Sequence, residues 1–80
     1  MIIPQIVAVE PRPDYSLVLE YQSGEKRMYS MKPWIGRGMF GPLSDPSYFS
    51  QVRFFRNTVE WPNGADLDPR TLFEDSIPVG

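Results

Sequence analysis

A chain of 80 residues is long enough for one domain with a single hydrophobic core. It contains no cysteine and no histidine, which excludes a disulfide scaffold, a thiol nucleophile and a zinc finger, and removes the usual general base. The formal net charge of −2 does not favour nucleic acid as a partner. We therefore expect a protein that is not an enzyme and that uses no metal and no cofactor.

The apolar stretches of the sequence are too short to cross a membrane. The longest, residues 6–9 and 15–19, fall far below the roughly 20 residues that a transmembrane helix needs. The first five residues lack the basic and apolar regions of a signal peptide, so we expect a cytoplasmic protein. Because a domain of this size buries only about 60% of its unfolded surface, we also expect a homo-oligomer.

The first part of the chain is typical of β-structure. Residues 2–10 predict a strand that ends at the two prolines of residues 11–14. Residues 15–31 predict a β-hairpin with its turn at Ser23-Gly24, because apolar and polar residues alternate along its first arm. That alternation predicts one inward face, which consists of Tyr15, Leu17, Leu19 and Tyr21.

The remainder of the chain mixes loops, short strands and short helices. Residues 32–43 predict a loop with one helical turn, and residues 51–56 and 58–61 predict two strands joined by a turn at Asn57. Two Asp-Pro pairs, each a helix N-cap followed by proline at the first helical position, predict helices that begin after Asp45 and Asp68.

The first of these helices is expected to pack Tyr48 and Phe49 inward, and the second to end near residue 75. Residues 77–80 predict a frayed tail. The sum is an α+β fold, a mostly antiparallel β-meander sheet with two short helices, in one domain over residues 1–80.

Residues 52–56 combine arginine with aromatic side chains. Neighbouring residues of a strand point to opposite faces, so Phe54 and Phe55 cannot both enter the main core. One of them must lie against a helix, a loop or another subunit. We interpret the segment as a candidate partner or subunit interface made of Arg53, Phe54, Phe55 and Arg56.

Two other sets of residues support alternative functions. A small molecule could bind between sheet and loop, held by Trp34, Arg37 and Trp61. Nucleic acid could bind through Lys26, Arg27, Arg53 and Arg56, with an affinity that falls steeply as salt rises.

The segment of residues 61–69 carries most of the turn chemistry of the chain. Asn63, Asp66 and Asp68 offer oxygen ligands that Ca²⁺ or Mg²⁺ could use, but their spacing does not fit an EF-hand. We therefore predict a structural loop with an Asn-Gly turn and a capped helix, in which Asp66 has the least obvious role. The residues assigned to this structural role are Trp61, Pro62, Asn63, Gly64, Asp66, Asp68 and Pro69.

Two strings of the sequence resemble those of a bacterial family. Residues 40–45 read Phe-Gly-Pro-Leu-Ser-Asp, and residues 61–69 read Trp-Pro-Asn-Gly-Ala-Asp-Leu-Asp-Pro. With the predicted first strand and hairpin, they resemble the domain of unknown function 2442 family over nearly the whole chain. Phe73 departs from it where many relatives carry tyrosine, and we expect no helix-turn-helix extension of the kind fused to some members.

The resemblance implies a small α+β unit with a β-meander and carries over no catalytic residue. Members often lie beside another small protein, in an arrangement similar to toxin–antitoxin pairs, and some are described as ligand-binding domains. The leading hypothesis is a non-catalytic interaction module, with an antitoxin-like role, that binds a small partner protein and itself. A small-molecule sensor and a nucleic-acid-binding regulator are the alternatives.

Overall fold

A computed structural model describes residues 2–79 of the chain. Within that range the chain forms six strands, two short α-helices and one 3₁₀ helix, which confirms the α+β class. The elements in chain order are β1 (Ile6–Pro11), β2 (Ser16–Tyr21), β3 (Lys26–Ser30), the 3₁₀ helix (Gly38–Ser44), α1 (Pro46–Phe49), β4 (Arg53–Phe55), β5 (Thr58–Glu60), α2 (Pro69–Asp75) and β6 (Ile77–Val79). None of these helices has the length and apolar character that crossing a bilayer requires.

The strands form two separate antiparallel sheets, whereas the sequence predicted one mostly antiparallel sheet. The larger sheet has the order β1-β2-β3-β6, and the smaller one consists of β4 and β5. In the larger sheet, Leu19 of β2 lies opposite Val9 of β1 and Arg27 of β3. The predicted hairpin of residues 15–31 is confirmed, whereas the first strand begins at Ile6, later than predicted.

The predicted frayed tail is wrong for the residues that the structure describes there, because β6 pairs with β3. Met28 lies opposite Ile77, and Arg27 lies opposite Pro78. The side chain of Arg27 donates hydrogen bonds to Ser76 Oγ at 2.6 Å and to the Ser76 carbonyl at 2.8 Å. These bonds hold the chain at the end of α2, so that it returns along the edge of the sheet. Gly80 lies outside the described residues.

The core lies on the predicted face of β2. Leu17, Leu19 and Tyr21 are fully buried, and Tyr15 is half-buried at the start of the same row. The other side chains of the core come from all of the remaining elements except β4 and β6, and from the loops: Ile6, Tyr29, Met31, Leu43, Phe49, Val59, Trp61, Ala65, Leu67 and Leu72.

Both predicted helix N-caps are confirmed. The Asp45 carboxylate accepts a hydrogen bond from the Ser47 amide at 3.0 Å, and the Asp68 carboxylate accepts one from the Thr71 amide at 3.0 Å. Each satisfies a backbone donor that the first turn of a helix leaves free. As predicted, Phe49 of α1 is buried, while its neighbour Tyr48 is half-buried.

Candidate functional site

The first candidate surface is the β4 edge, which we define as Arg53, Phe54, Phe55 and Arg56. β4 pairs with β5 on one side only, in a register that sets Phe54 opposite Val59. Within residues 2–79 no strand pairs with its other side. Phe54 is 43% exposed and Phe55 is 59% exposed, although the two side chains of adjacent strand residues point to opposite faces. An exposed edge with an aromatic ring on each face is therefore available for contact.

The sequence predicted that one of the two phenylalanines lies away from the core, and the structure places both there. The reason is that β5 supplies the core residues of this small sheet. Val59 of β5 and the neighbouring Trp61 are completely buried. β4 contributes no side chain to the core, and all three of its residues are exposed.

Two arginines flank the rings of the β4 edge. Arg53 Nε lies 3.1 Å from Glu60 Oε1, across the hairpin, and the Arg53 side chain is 70% exposed. The Arg56 guanidinium lies 5.3 Å from the centroid of the Phe55 ring. Arg56 also occupies the turn with φ +60°, and its carbonyl accepts a hydrogen bond from the Ile6 amide at 2.8 Å. The last bond ties the turn of the small sheet to the start of β1.

The four basic residues proposed for nucleic acid do not form one set of free cations. Besides its bonds to Ser76, the Arg27 guanidinium forms an ion pair with Glu25 and lies 4.6 Å from the centroid of the Phe73 ring. Arg53 is paired with Glu60. Arg27 therefore joins β3 to the end of α2 and serves the fold.

The second candidate surface is the Trp34 pocket, which we define by Trp34, Arg37, Met39, Phe40 and Asp66. It is an open depression with a volume of about 380 Å³, and Gly38 and Ala65 complete its lining. Trp34 is 38% exposed and Met39 is 56% exposed, while Phe40 is half-buried. The pocket thus brings together the predicted ligand residues Trp34 and Arg37, on an apolar surface with one carboxylate.

The small-molecule hypothesis also expected Trp61 in this pocket, but the structure places Trp61 elsewhere. Trp61 has no exposed surface, and its Nε1 donates to the Phe49 carbonyl at 3.0 Å. The Phe40 ring packs edge-on against it, with 6.2 Å between the ring centroids. A side chain in this position cannot touch a ligand, so Trp61 supports the pocket from beneath.

Hydrogen bonds fix the two sides of the Trp34 pocket relative to each other. Trp34 Nε1 donates to the Tyr29 hydroxyl at 2.9 Å, which holds the indole ring against the larger sheet. Asn63 Nδ2 donates to the Met39 carbonyl at 2.9 Å and so joins residues 61–69 to the 3₁₀ helix. The pocket is preformed, as small-molecule sites usually are.

Within residues 61–69, the Asn-Gly turn and the capped helix lie where the sequence predicted them. Asn63 Oδ1 accepts from the Ala65 amide at 3.1 Å, Gly64 has φ +88°, and Asp68 caps α2. The backbone of Asp66 forms a bridge with Glu60, while its carboxylate makes no hydrogen bond or ion pair with any residue from 2 to 79. In that range no three acidic side chains gather as a metal site would require.

Comparison with known families confirms the family that the sequence resembles. The model of the family described as a protein of unknown function, DUF2442, matches residues 6–78. The chain belongs to the DUF2442 family. Comparison with curated proteins and with solved structures returns no match for the chain. The family match includes the β4 edge and the Trp34 pocket, so both surfaces lie within the DUF2442 domain.

Sequence reasoning did not assign Met39, Phe40 and Asp66 of this DUF2442 domain to the ligand site. Asp66 is the residue of the segment 61–69 with the least obvious role in a turn, and that feature could have indicated a role in binding. Met39 and Phe40 follow Gly36 and Gly38, which both have positive φ. Those glycines allow the loop to fold back, whereas the sequence predicted only a loop with one helical turn.

Proposed function

We propose that this DUF2442 domain is a non-catalytic protein-interaction module that binds a partner protein through the β4 edge. The observation that carries the proposal is the exposure of Phe54 and Phe55 on the two faces of a strand that is unpaired on one side. Exposed apolar strand edges promote pairing with other chains, and folded proteins generally blunt or cover them. A partner that covers this edge accounts for the surplus aromatic surface.

The binding mode that we infer is strand addition. Alternate residues of an edge strand direct their backbone N–H and C=O groups away from the strand that is already paired. The Arg56 carbonyl is already bonded to the Ile6 amide, so a partner strand would bond to the remaining outward groups, while Phe54 and Phe55 contact its side chains on the two faces. Main-chain bonds then supply affinity and the two rings supply selectivity.

The charges of the β4 edge favour a partner strand with acidic residues. Arg53 and Arg56 flank the two rings, so the formal charges of the edge itself are positive. Opposite charges across a strand pair stabilise it, and like charges destabilise it. A partner segment that carries acidic residues beside its apolar ones therefore suits this edge better than a second copy, which would bring the same two arginines.

An antitoxin-like role is the form of this proposal that the family resemblance suggests, with a small protein as the partner. We place it in the bacterial cytoplasm, which the absence of cysteine suits. The homo-oligomer stays a prediction. Because Arg53 and Arg56 would repeat in a second copy, the β4 edge suits self-association less well than it suits an acidic partner.

The test compares two exposed apolar sites on edge strands. The wild-type chain is purified gently from its own host, the retained partner is identified by native mass spectrometry, and its affinity is measured for purified variants. We expect Phe54→Ala/Phe55→Ala to lose at least tenfold in affinity, about 1.4 kcal/mol. Ile77→Ala, which shortens a 61% exposed residue of β6, is the matched control and should bind normally.

Circular dichroism establishes that each variant is folded. A folded double variant that binds the partner as tightly as the wild type contradicts the proposal. If Ile77→Ala loses as much affinity for the partner as the double variant, the interface includes the larger sheet and is not specific to the β4 edge. The same native spectra give the number of chains in any homo-oligomer.

A further inference from the structure

The Trp34 pocket combines an apolar surface with two charges of opposite sign. Arg37 and Asp66 both line it, together with the ring of Trp34 and the side chains of Met39 and Phe40. Its volume of about 380 Å³ lies within the range of small-molecule sites. The β4 edge is a different part of the small sheet, because Asp66 bridges to β5 on the side away from β4.

Asp66 is held in place but its carboxylate has no partner in the fold. Its backbone is fixed by the bridge to Glu60, and the fully or nearly fully buried neighbours Ala65 and Leu67 anchor it on both sides. The side chains of Asn63 and Asp68 are used in hydrogen bonds within the same segment. The fold therefore accounts for the neighbouring polar side chains and leaves the Asp66 carboxylate at the pocket free.

Arg37 is positioned in a comparable way. Its amide donates to the Trp34 carbonyl at 3.1 Å, and its carbonyl accepts from the Phe40 amide at 2.8 Å. Its guanidinium makes no ion pair with an acidic side chain among residues 2–79, Asp66 included. The pocket thus offers a cation and a carboxylate that do not neutralise each other.

We propose that the Trp34 pocket binds a small zwitterion with an apolar body, of the size of an aromatic amino acid or a dipeptide. The ammonium group of the ligand pairs with Asp66, and its carboxylate pairs with Arg37. The apolar body packs on Trp34, Met39 and Phe40, where an aromatic ring gains from the indole and from the polarizable thioether. A ligand with only one charge leaves either Arg37 or Asp66 without a partner.

The experiment is a titration followed by ¹H–¹⁵N NMR, with the Trp34 indole N–H and the Arg37 and Ala65 amides as reporters. The probes are L-phenylalanine and L-phenylalanyl-glycine, which are zwitterions with short and long charge separation. Phenethylamine carries the same ring with a cation only, and 3-phenylpropionate carries it with an anion only. We expect saturable shifts at the reporters and tighter binding of at least one zwitterion than of either singly charged probe.

Two variants assign the charges. We expect Asp66→Asn to weaken binding of the zwitterion and of phenethylamine by about tenfold, as loss of a charge-assisted hydrogen bond does, and to leave 3-phenylpropionate unchanged. Arg37→Gln should weaken binding of the zwitterion and of 3-phenylpropionate and leave phenethylamine unchanged. Asp75→Asn and Lys32→Gln, which alter exposed charges that do not line the pocket, are the matched controls.

Three outcomes overturn this proposal: no saturable shift with any probe, singly charged probes that bind as tightly as the zwitterions, or variants that bind like the controls. Phe54→Ala/Phe55→Ala should bind the zwitterion normally. Failure at the pocket therefore leaves the partner-binding proposal standing, and failure at the β4 edge leaves this one standing.

Discussion

The two β-hairpins of this fold use aromatic residues in opposite ways. The β2–β3 hairpin turns at Gly24, with φ +91°, and buries one complete row of β2. The β4–β5 hairpin turns at Arg56, with φ +60°, and exposes every residue of β4. Its buried residue, Val59, lies on the returning strand. One hairpin is built around the core, and the other presents a strand at the surface.

The difference shows that hydrophobicity alone does not locate the core of a small domain. Phe54 and Phe55 are more hydrophobic than several buried residues, yet both are exposed. The residues that this part of the chain contributes to the core are instead Val59 and Trp61, which are completely buried. Exposed rings of this kind are typical of interaction surfaces, which is why we assign partner binding to the second hairpin.

The largest expected effect separates the two hairpins by stability. Leu19→Ala removes fully buried side-chain atoms from β2, so we expect unfolding free energy to fall by about 2–5 kcal/mol in urea titrations. Phe55→Ala, on the exposed strand, should change it by no more than about 0.5 kcal/mol. If Leu19→Ala does not fold, Leu19→Val provides a smaller step in the same direction. Equal losses of unfolding free energy in Leu19→Ala and Phe55→Ala would contradict the difference between the buried and the exposed hairpin.

The second prediction concerns a polar atom within the buried hairpin. The hydroxyl of Tyr21 is buried and has no hydrogen-bond partner among residues 2–79, whereas the hydroxyl of Tyr29 accepts from Trp34 Nε1. A buried hydroxyl without a partner costs about 1 kcal/mol or more. We therefore expect Tyr21→Phe to raise the unfolding free energy by about 1 kcal/mol and Tyr29→Phe to lower it by about as much.

The pH dependence of stability tests the same residue. Burial raises the pKa of Tyr21 to about 12, from its ordinary value of 10.0. The unfolded chain therefore loses this proton first, and stability that is complete below pH 10.0 declines as pH rises toward about 12. Urea titrations across this interval should show a shallower decline for Tyr21→Phe than for the wild type. Parallel declines would show that Tyr21 ionises as it does in the unfolded chain.

Local patterns in the sequence were sufficient for the buried hairpin and for both helix starts. Alternation along β2 predicted its inward row, and the Asp-Pro pairs at Asp45 and Asp68 predicted α1 and α2. These features depend on residues that are close in sequence. Period-two burial and N-capping each act within a few positions of the chain.

The features that the sequence did not predict depend on distant residues. β6 has only three residues, one of them Pro78, and it forms because β3 offers a free edge and Arg27 binds Ser76. Likewise, the Trp34 pocket exists because Asn63 bonds to Met39 across 24 positions of the chain. A local pattern in the sequence cannot indicate such a distant contact. The positions of Met39, Phe40 and Asp66 in the lining of the pocket were therefore visible only in the structure.

The third prediction addresses the turn of the exposed hairpin. Arg56 has a left-handed conformation, which costs a residue with a Cβ atom about 1–2 kcal/mol. Glycine relieves that cost, but it loses up to about 1 kcal/mol in chain entropy and the contact with Phe55. We expect Arg56→Gly to raise the unfolding free energy by about 0.5 kcal/mol.

The neighbouring position supplies the control. Asn57 has no positive φ, so Asn57→Gly gains no relief and should destabilise by about 0.5–1 kcal/mol. Thermal and urea unfolding of the two variants measure the difference. A loss of stability in both variants would show that Arg56 contributes more through its side chain than its backbone conformation costs.

The smallest expected effect concerns the turn that leads into the buried hairpin, where Tyr15 also has a left-handed conformation, with φ +65°. There, side-chain bonds support the turn. The Asp14 carboxylate accepts hydrogen bonds from the hydroxyl and the amide of Ser16, which lower the pKa of Asp14 below its ordinary value of 3.8.

A lowered pKa means that the ionised carboxylate stabilises the fold above pH 3.8 and that this contribution is lost as pH falls below that value. We expect Asp14→Asn to be slightly less stable than the wild type at neutral pH, and the gap to close on acidification. Asp75→Asn is the matched control, because the Asp75 carboxylate accepts no hydrogen bond and forms no ion pair within residues 2–79. It should show no gap that closes with acid. Because Asp14 is exposed, the effect stays small, and a gap independent of pH would mean that its carboxylate does not support the turn through Ser16.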